Sequence, residues 1–331
     1  MSCTHLIWIN WGQPPLGLNE PHFFNMVEIQ KNISIASYTT FKIGGSAEYF
    51  CEIKSLEDLK DVLAEANKKS WKIFVLGGGS NLLVSSKGFK GLVIKMGCDW
   101  IKNIGEGLYE VGAGTLLAKL LAETIKNNLT GLEWSIGIPG TLGGAICGNS
   151  GAYGYSMAES IVSVKALDVK TLRIKNFKLK DCKFQYRDSI FKNKNQYIIV
   201  SAQLQFYKGE EETIKNSLQK YSSERKSKIP PYPSAGCVFK NIIIDDMTYE
   251  FLNKIPSEKI KGGKIPVGYL IEECGLKGKR IGGAEVSNQH ANFIVNFNQA
   301  TFLDVMELIN SCKQEIKNNF NLDLEEEIKI I

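Results

Sequence analysis

Apolar residues recur at helical spacing over residues 56–67, where Leu56, Leu59, Val62, Leu63 and Ala66 share one face. Ser55 stands as a possible N-cap, with Asp58 three residues on. Residues 115–127 (TLLAKLLAETIKN) predict a second helix with an apolar face. Runs of β-branched and aromatic residues predict strands. Residues 33–53 read as strand, Gly44-Gly45 turn and strand, and 73–76, 92–96, 161–169 and 197–207 as further strands. Up to about residue 95 strand and helix alternate, as α/β units do. Residues 209–228 are charged and read as a helix. It stops at Ile229-Pro230-Pro231-Tyr232-Pro233, the strongest break in the chain and the expected place of a domain change. Beyond the break the pattern predicts a loop at 234–241, a helix at 268–274, a strand at 291–295, a helix at 302–319 and a last strand at 324–331. No internal repeat interrupts this order.

Two stretches fit neither period. Residues 131–154, GLEWSIGIPGTLGGAICGNSGAYG, hold eight glycines, more than a periodic helix or strand needs. Such a backbone suits tight folding against a large, flat or charged ligand. The second stretch, Gly77-Gly78-Gly79-Ser80-Asn81-Leu82-Leu83, follows the strand at 73–76 and reads as a turn into a strand. It does not open a helix, so it departs from the dinucleotide fingerprint. Phosphate would be held by successive backbone N–H groups in a nest, with bonds added by Ser80 and Asn81. Alone, this patch also reads as a glycine-rich hairpin. Two patches in one half of the chain point to a cradle for a cofactor with a pyrophosphate.

At 331 residues the chain has room for two or three domains. Its 44% hydrophobic and 23% charged content is that of a soluble globular protein. A net charge of +5, from 40 basic and 35 acidic residues, is too mild for nucleic-acid binding, and no basic-aromatic pattern appears. It still favours a phosphate-bearing substrate. Lys192, Lys194, Lys226 and Lys228 read as solvated charges. The eight cysteines form no CxxC pair and the three histidines are dispersed, so no metal site is expected. The cysteines read as reduced thiols of a cytoplasmic protein. No apolar run approaches the roughly 20 residues of a membrane span. Leu6-Ile7-Trp8-Ile9 lacks the basic flank and cleavage site of a signal peptide. Residues 1–31 look like an irregular extension to which no function is assigned.

Seven segments, taken in order, carry a resemblance: Thr40-Phe41-Lys42-Ile43-Gly44-Gly45, VLGGGSNLLVS (75–85), GIPGTLGGAICGNSGAYG (137–154), Tyr186-Arg187-Asp188-Ser189, PSAGCVFKN (233–241), GGAEVSNQHANFIVN (282–296) and LEEEIKI (324–330). Over about residues 32–331 the chain resembles the UDP-N-acetylenolpyruvoylglucosamine reductase family. The short span from Tyr186 to Cys237 looks like its shorter, type II form. The resemblance implies an α+β fold with a two-part FAD-binding domain of the vanillyl-alcohol-oxidase (PCMH) type, at 32–95 and 96–208. A C-terminal α+β substrate-binding domain would follow at 209–331. It implies a monomer binding FAD non-covalently, and no histidine lies near either glycine patch. NADPH would reduce the flavin and leave, and the enolpyruvyl ether of UDP-N-acetylglucosamine would take its place. Hydride would pass to C3 of the enolpyruvyl group and a proton to C2, giving UDP-N-acetylmuramate.

The family pattern also implies roles by position. Gly77, Gly78, Gly79, Ser80, Asn81, Leu82, Gly137, Ile138, Pro139, Gly140, Thr141, Gly143, Gly144 and Ala145 would bind the cofactor, and Arg225 would reach its pyrophosphate. Hydride addition at C3 leaves negative charge on C2 and the carboxylate, which needs preorganised positive charge. Arg187 matches the family arginine and can grip a carboxylate with two N–H bonds; by itself it reads as a surface ion pair with Asp188. Glu327 matches the final glutamate of an L-E-P-E pattern whose proline is Glu326 here; by itself it reads as an edge-strand charge. Strand alternation would put Glu325 and Glu327 on one face. Cys237 stands where the family has a serine as proton donor to C2. A thiol kept protonated is a competent acid, though a free cysteine is more often buried and inert. Tyr186, Lys228 and Asn241 match substrate-contacting positions, with Ile242 where proline is usual. His290 reads as structural or near the nucleotide. Two rival readings are an FAD-dependent carbohydrate or alcohol oxidase on the same fold and a non-enzymatic nucleotide-sugar binding protein.

Overall fold

A computed structural model describes residues 27–193, 196–244 and 255–331. Most of the expected extension at 1–31 lies outside the described residues, and its last residues enter the strand Gln30–Ser34. Three sheets of four, five and four strands carry the fold.

In the first sheet Ser46–Ile53, Phe89–Met96 and Ile73–Leu76 run parallel, with Gln30–Ser34 antiparallel at the edge. A parallel strand covered on both faces needs an unbroken apolar run, and Leu92, Val93 and Ile94 are all fully buried. The helix Leu56–Lys68 buries Leu59, Val62, Leu63 and Ala66 against it. Asp58 N donates to Ser55 Oγ (3.0 Å) and Ser55 N to Asp58 Oδ2 (3.1 Å). This reciprocal pair satisfies two N–H groups that a helix start leaves open.

The second sheet is antiparallel, in the order Ile174–Lys178, Ile161–Asp168, Tyr197–Gln205, Leu108–Gly112, Ile101–Gly105. It shares one core with the first sheet and with the helix Leu117–Lys126. The edge strand Ile174–Lys178 exposes Lys175 and Lys178, charges that discourage pairing with another chain. The third sheet, in the order Ser234–Cys237, Phe293–Asn296, Ala284–Val286, Arg280–Ile281, packs with the helices Val267–Glu273 and Phe302–Phe320 around a separate core. Phe41 and Ile43 are buried in that same core. The connection between the first two strands of the chain is thereby docked on the C-terminal layer.

Three expectations are corrected. Residues 234–241 are not all loop: Ser234–Cys237 is a strand paired with Phe293–Asn296, bulged between Ser234 and Cys237. Its small residues hide a pairing made with a segment some sixty positions away. Residues 324–331 are not one strand. Lys329–Ile330 pairs parallel to Leu82–Leu83, and before it Glu326 makes an isolated antiparallel bridge with Phe239. The residues before it cross Val238 and Lys240 (Glu327 N to Val238 O 2.7 Å, Lys240 N to Glu325 O 2.9 Å). Glu325 pairs with Lys240 at the exposed edge, and Glu327 pairs with Arg187 at the cavity wall. The glycine-rich stretch is not one loop either, since it holds the helix Leu142–Cys147 and the hairpin Gly151–Ala152/Tyr155–Ser156.

Candidate active site

A cavity of about 800 Å³ runs between the two glycine loops, the helix Glu211–Lys228, the strand Ser234–Cys237 and the chain end. The glycine loops are pressed against each other. A Cβ on Gly78 would lie 2.5 Å from Gly140 Cα, one on Gly77 2.7 Å from Thr141 Oγ1, and one on Gly79 2.0 Å from Tyr38 O. Gly79 also has φ +63°, a conformation side chains rarely adopt. At these positions glycine is required by backbone meeting protein, not by a ligand. Elsewhere space is left open: a Cβ on Gly144 meets nothing nearer than Thr141 Oγ1 at 3.6 Å, and one on Gly236 meets nothing within 4 Å.

Ser80 and Asn81, expected to add bonds to phosphate, both line the cavity and hydrogen-bond to its wall. Ser80 Oγ donates to Pro139 O (2.9 Å) and Asn81 Nδ2 to Glu327 O (3.1 Å). Both side chains tie parts of the wall together. Thr141 caps the helix Leu142–Cys147, and Ile138, Gly143, Ala145 and Leu82 complete the lining of the two loops.

The site meets the needs of an anionic cofactor at its arginines. Among the described residues, the buried side-chain nitrogens and oxygens left without a hydrogen bond are Nε of Arg187 and Nε of Arg225, and both arginines line this cavity. Buried donors left unpaired are costly; Arg187 Nε has the Glu327 carboxylate close by, whereas Arg225 Nε has no protein partner and suits an acceptor supplied by a ligand. Arg225 is held by Nη2 donating to Trp134 O (3.4 Å) and by the Tyr153 ring, 5.6 Å from its Cζ. Among the described residues no His/Cys/Asp/Glu cluster could hold a metal ion.

Three remote segments bring Arg187, Cys237 and Glu327 to the cavity wall. Arg187 sits at φ +56° in the turn closed by Gln185 N to Asp188 O (3.0 Å) and Asp188 N to Gln185 O (3.2 Å). Ser189 Oγ pins this turn to Cys147 O at 2.7 Å. Cys237 follows Gly236 (φ +82°) in the bulge, which sets its direction. Glu327 is fixed by its backbone to Val238 O and Asn81 Nδ2. Arg187 Nε lies 2.9 Å from Glu327 Oε1, an ion pair by distance whose N–H is not aimed along the line to the oxygen.

Burial sets the protonation states. It pushes the Cys237 thiol up to about 12; the Glu327 charge adds to the rise and Arg187 and Arg225 oppose it. Cys237 therefore keeps its proton through neutral pH. Burial also raises the Glu327 carboxyl above the usual carboxylate value, against the pull of Arg187, Lys192 and Lys240. For Arg187, burial works against the charge, but Glu327, Tyr186 and Cys237 carry its pKa above the ordinary value.

Lys228, the last residue of its helix, lines the cavity and stands 3.8 Å from Glu224. Tyr186 and Asn241 are not brought to the lining. Asn241 N donates to Tyr186 Oη (3.2 Å), and Asn241 Oδ1 accepts from Val267 N (3.2 Å). His290 lines the cavity, with Nδ1 accepting from Asn292 N at 3.2 Å, and burial lowers its pKa. Sequence reasoning missed Lys192. Read as a solvated charge, it lines the cavity instead and donates through Nζ to Arg187 O at 2.8 Å. Its place one helical turn after Tyr186-Arg187-Asp188-Ser189 was the available signal. Lys194 lies outside the described residues.

Comparison with known proteins gives a consistent result. Residues 228–331 match the family model described as UDP-N-acetylenolpyruvoylglucosamine reductase, C-terminal domain, and residues 47–172 match the model described as FAD binding domain. The chain is 38% identical over 311 residues to a UDP-N-acetylenolpyruvoylglucosamine reductase of Prochlorococcus marinus (strain NATL2A), covering 92% of this chain and 98% of that protein. It is 34% identical over 304 residues to a protein of the same name from Solibacter usitatus, covering 92% and 96%. A crystal structure of UDP-N-acetylenolpyruvylglucosamine reductase from Thermus caldophilus superposes with a TM-score of 0.72 at 32% identity, over 92% of this chain and 98% of that one.

Proposed function

The chain belongs to the UDP-N-acetylenolpyruvoylglucosamine reductase family, and from that premise we propose that Arg187, Cys237 and Glu327 are its catalytic residues. The protein is an FAD- and NADPH-dependent oxidoreductase of peptidoglycan precursor synthesis, with the FAD-binding domain of the vanillyl-alcohol-oxidase (PCMH) type. Bound flavin supplies the hydride. Negative charge then develops on C2 and the carboxylate of the enolpyruvyl group. Arg187 offers a fixed, always-charged guanidinium to that charge. Glu327 orients the guanidinium through the 2.9 Å ion pair. Cys237 holds a proton that burial keeps in place until substrate carbon takes it. Lys228, beside the cavity, serves the diphosphate, and Arg225 the flavin pyrophosphate. Tyr186 and Asn241 act on substrate only by shaping the wall behind Arg187, given that they hydrogen-bond each other.

The observation that carries this reading is that Arg187, Cys237 and Glu327, from three remote segments, line one cavity, with Arg187 Nε 2.9 Å from Glu327 Oε1. The division at 32–95, 96–208 and 209–331 is supported by one sheet falling in each part, although Leu218 and Tyr221 of the helix Glu211–Lys228 lean on the first core. A monomer is supported by a cavity completed within one chain. Seven free cysteines among the described residues support a reducing, cytoplasmic setting, and among those residues no helix is long and apolar enough to cross a membrane. Flavin-loaded protein should bleach anaerobically with NADPH and regain colour on adding UDP-N-acetylglucosamine enolpyruvate. Bleaching without recovery, in the presence of that substrate alone, contradicts the assignment.

A further inference from the structure

Lys192 stands at a junction that the reaction as described does not use. It lines the large cavity and also a second cavity of about 210 Å³ behind the catalytic pair. Glu327 and Lys329 line both cavities too, and the second is completed by Asp188, Lys240, Glu325, Glu326 and Ile328. The Lys192 ammonium donates to Arg187 O at 2.8 Å from the short helical turn Ile190–Asn193. That carbonyl belongs to a residue with φ +56°, a left-handed conformation that costs free energy in an arginine. Neighbouring bonds must hold such a backbone, and the Lys192 bond is made at the strained residue itself.

The same ammonium lines both cavities with Glu327 and adds positive charge near that carboxyl. We infer that Lys192 is a positioning residue for substrate reduction: it locks the Arg187 backbone and so fixes the guanidinium against Glu327. The inference rests on the proposed roles of Arg187 and Glu327. Groups facing Glu327 come from every neighbouring segment: Tyr186, Arg187, Asp188 and Lys192; Cys237 and Lys240; and Glu325, Glu326 and Lys329 beside it in the chain. Burial lowers the Lys192 pKa, and Lys240 lowers it further, while Asp188, Glu327 and Cys147 sustain the charge. Removing a positive charge beside a carboxyl raises the carboxyl's pKa.

The test uses flavin-loaded Lys192→Met and Lys192→Arg, bleached with NADPH and then mixed with UDP-N-acetylglucosamine enolpyruvate across a pH series. In Lys192→Met, recolouring should slow by about 10- to 100-fold, the scale of a misplaced catalytic group. The pH limb assigned to Glu327 should move to higher pH. Lys192→Arg retains the charge and should return the limb to its wild-type position, even with a slower rate. Recolouring of Lys192→Met within about twofold of wild type, or an equal slowing at every pH in both variants, overturns the inference. If Lys192→Met does not fold, a limb that moves in Lys192→Arg overturns it alone. Glu327→Gln separates the two levels: wild-type recolouring there defeats the catalytic assignment, whereas a slow Glu327→Gln beside a normal Lys192→Met defeats only the role of Lys192.

Discussion

The glycine loops and the Glu327 segment wall the same cavity, yet they are built on opposite principles. The loops work by what they lack: Gly78 and Gly140 let two backbones touch, and a methyl group between them has no room. The Glu327 segment works by what it carries. Its backbone is tied to Val238 and Asn81, and its side chain reaches an arginine 140 positions earlier in the chain. One region is a shell in which Gly77, Gly78 and Gly79 have no room for a methyl group. The other is a strip anchored by Leu324 and Ile328 in the C-terminal core, and its specific part is the Glu327 side chain. Asn81 joins them, since its side chain reaches from the first glycine loop to hold the Glu327 carbonyl.

This contrast fixes the order of expected effects. Glu327→Gln keeps the shape and removes the charge opposite Arg187, so recolouring by substrate should slow by about 10²-fold, the scale of a misplaced catalytic group, while the melting temperature barely moves. A large drop in melting temperature with normal recolouring would place Glu327 with the shell instead. Gly78→Ala should do the reverse. Its Cβ meets Gly140 Cα at 2.5 Å, which costs about 1–3 kcal/mol of stability and loosens flavin. Gly144→Ala, with 3.6 Å of clearance, should leave unfolding unchanged, so any loss of flavin in that variant reports the ligand's own need for space. Equal destabilisation by the two substitutions would show that the loops are not in contact as described. The smallest effect belongs to Ser80→Ala. Its hydroxyl is bonded to Pro139 O, so the change should cost about 1 kcal/mol of stability and leave flavin affinity nearly intact. A loss of flavin tenfold or larger, with unchanged melting, would return Ser80 to the phosphate.

What the sequence disclosed follows the range of the interactions involved. The helix Leu56–Lys68 was legible with its cap because spacing and Ser55/Asp58 are local signals. The strands Ile73–Leu76 and Ile161–Asp168 were legible by composition. The density of glycine at 77–79 and 131–154 was visible, but its reason was only half visible, because contact between the loops is a tertiary fact. The strand at Ser234–Cys237 was hidden in small residues whose pairing partner lies at Phe293–Asn296. Arg187, Cys237 and Glu327 were reached through ordered motifs and a family resemblance, not through any periodicity. Lys192 was lost because a lysine near another lysine reads as solvated, and only the fold shows its ammonium turned onto Arg187 O.

The thiol supplies the sharpest test. Flavin-loaded Cys237→Ala and Cys237→Ser, bleached with NADPH under anaerobic conditions, are mixed with UDP-N-acetylglucosamine enolpyruvate and followed by flavin absorbance. Both variants should bleach; the serine protein should recover its colour and yield UDP-N-acetylmuramate, and the alanine protein should stay bleached or recover at least about 10²-fold more slowly. Recovery of the alanine protein at the wild-type rate would contradict the thiol's role as proton donor.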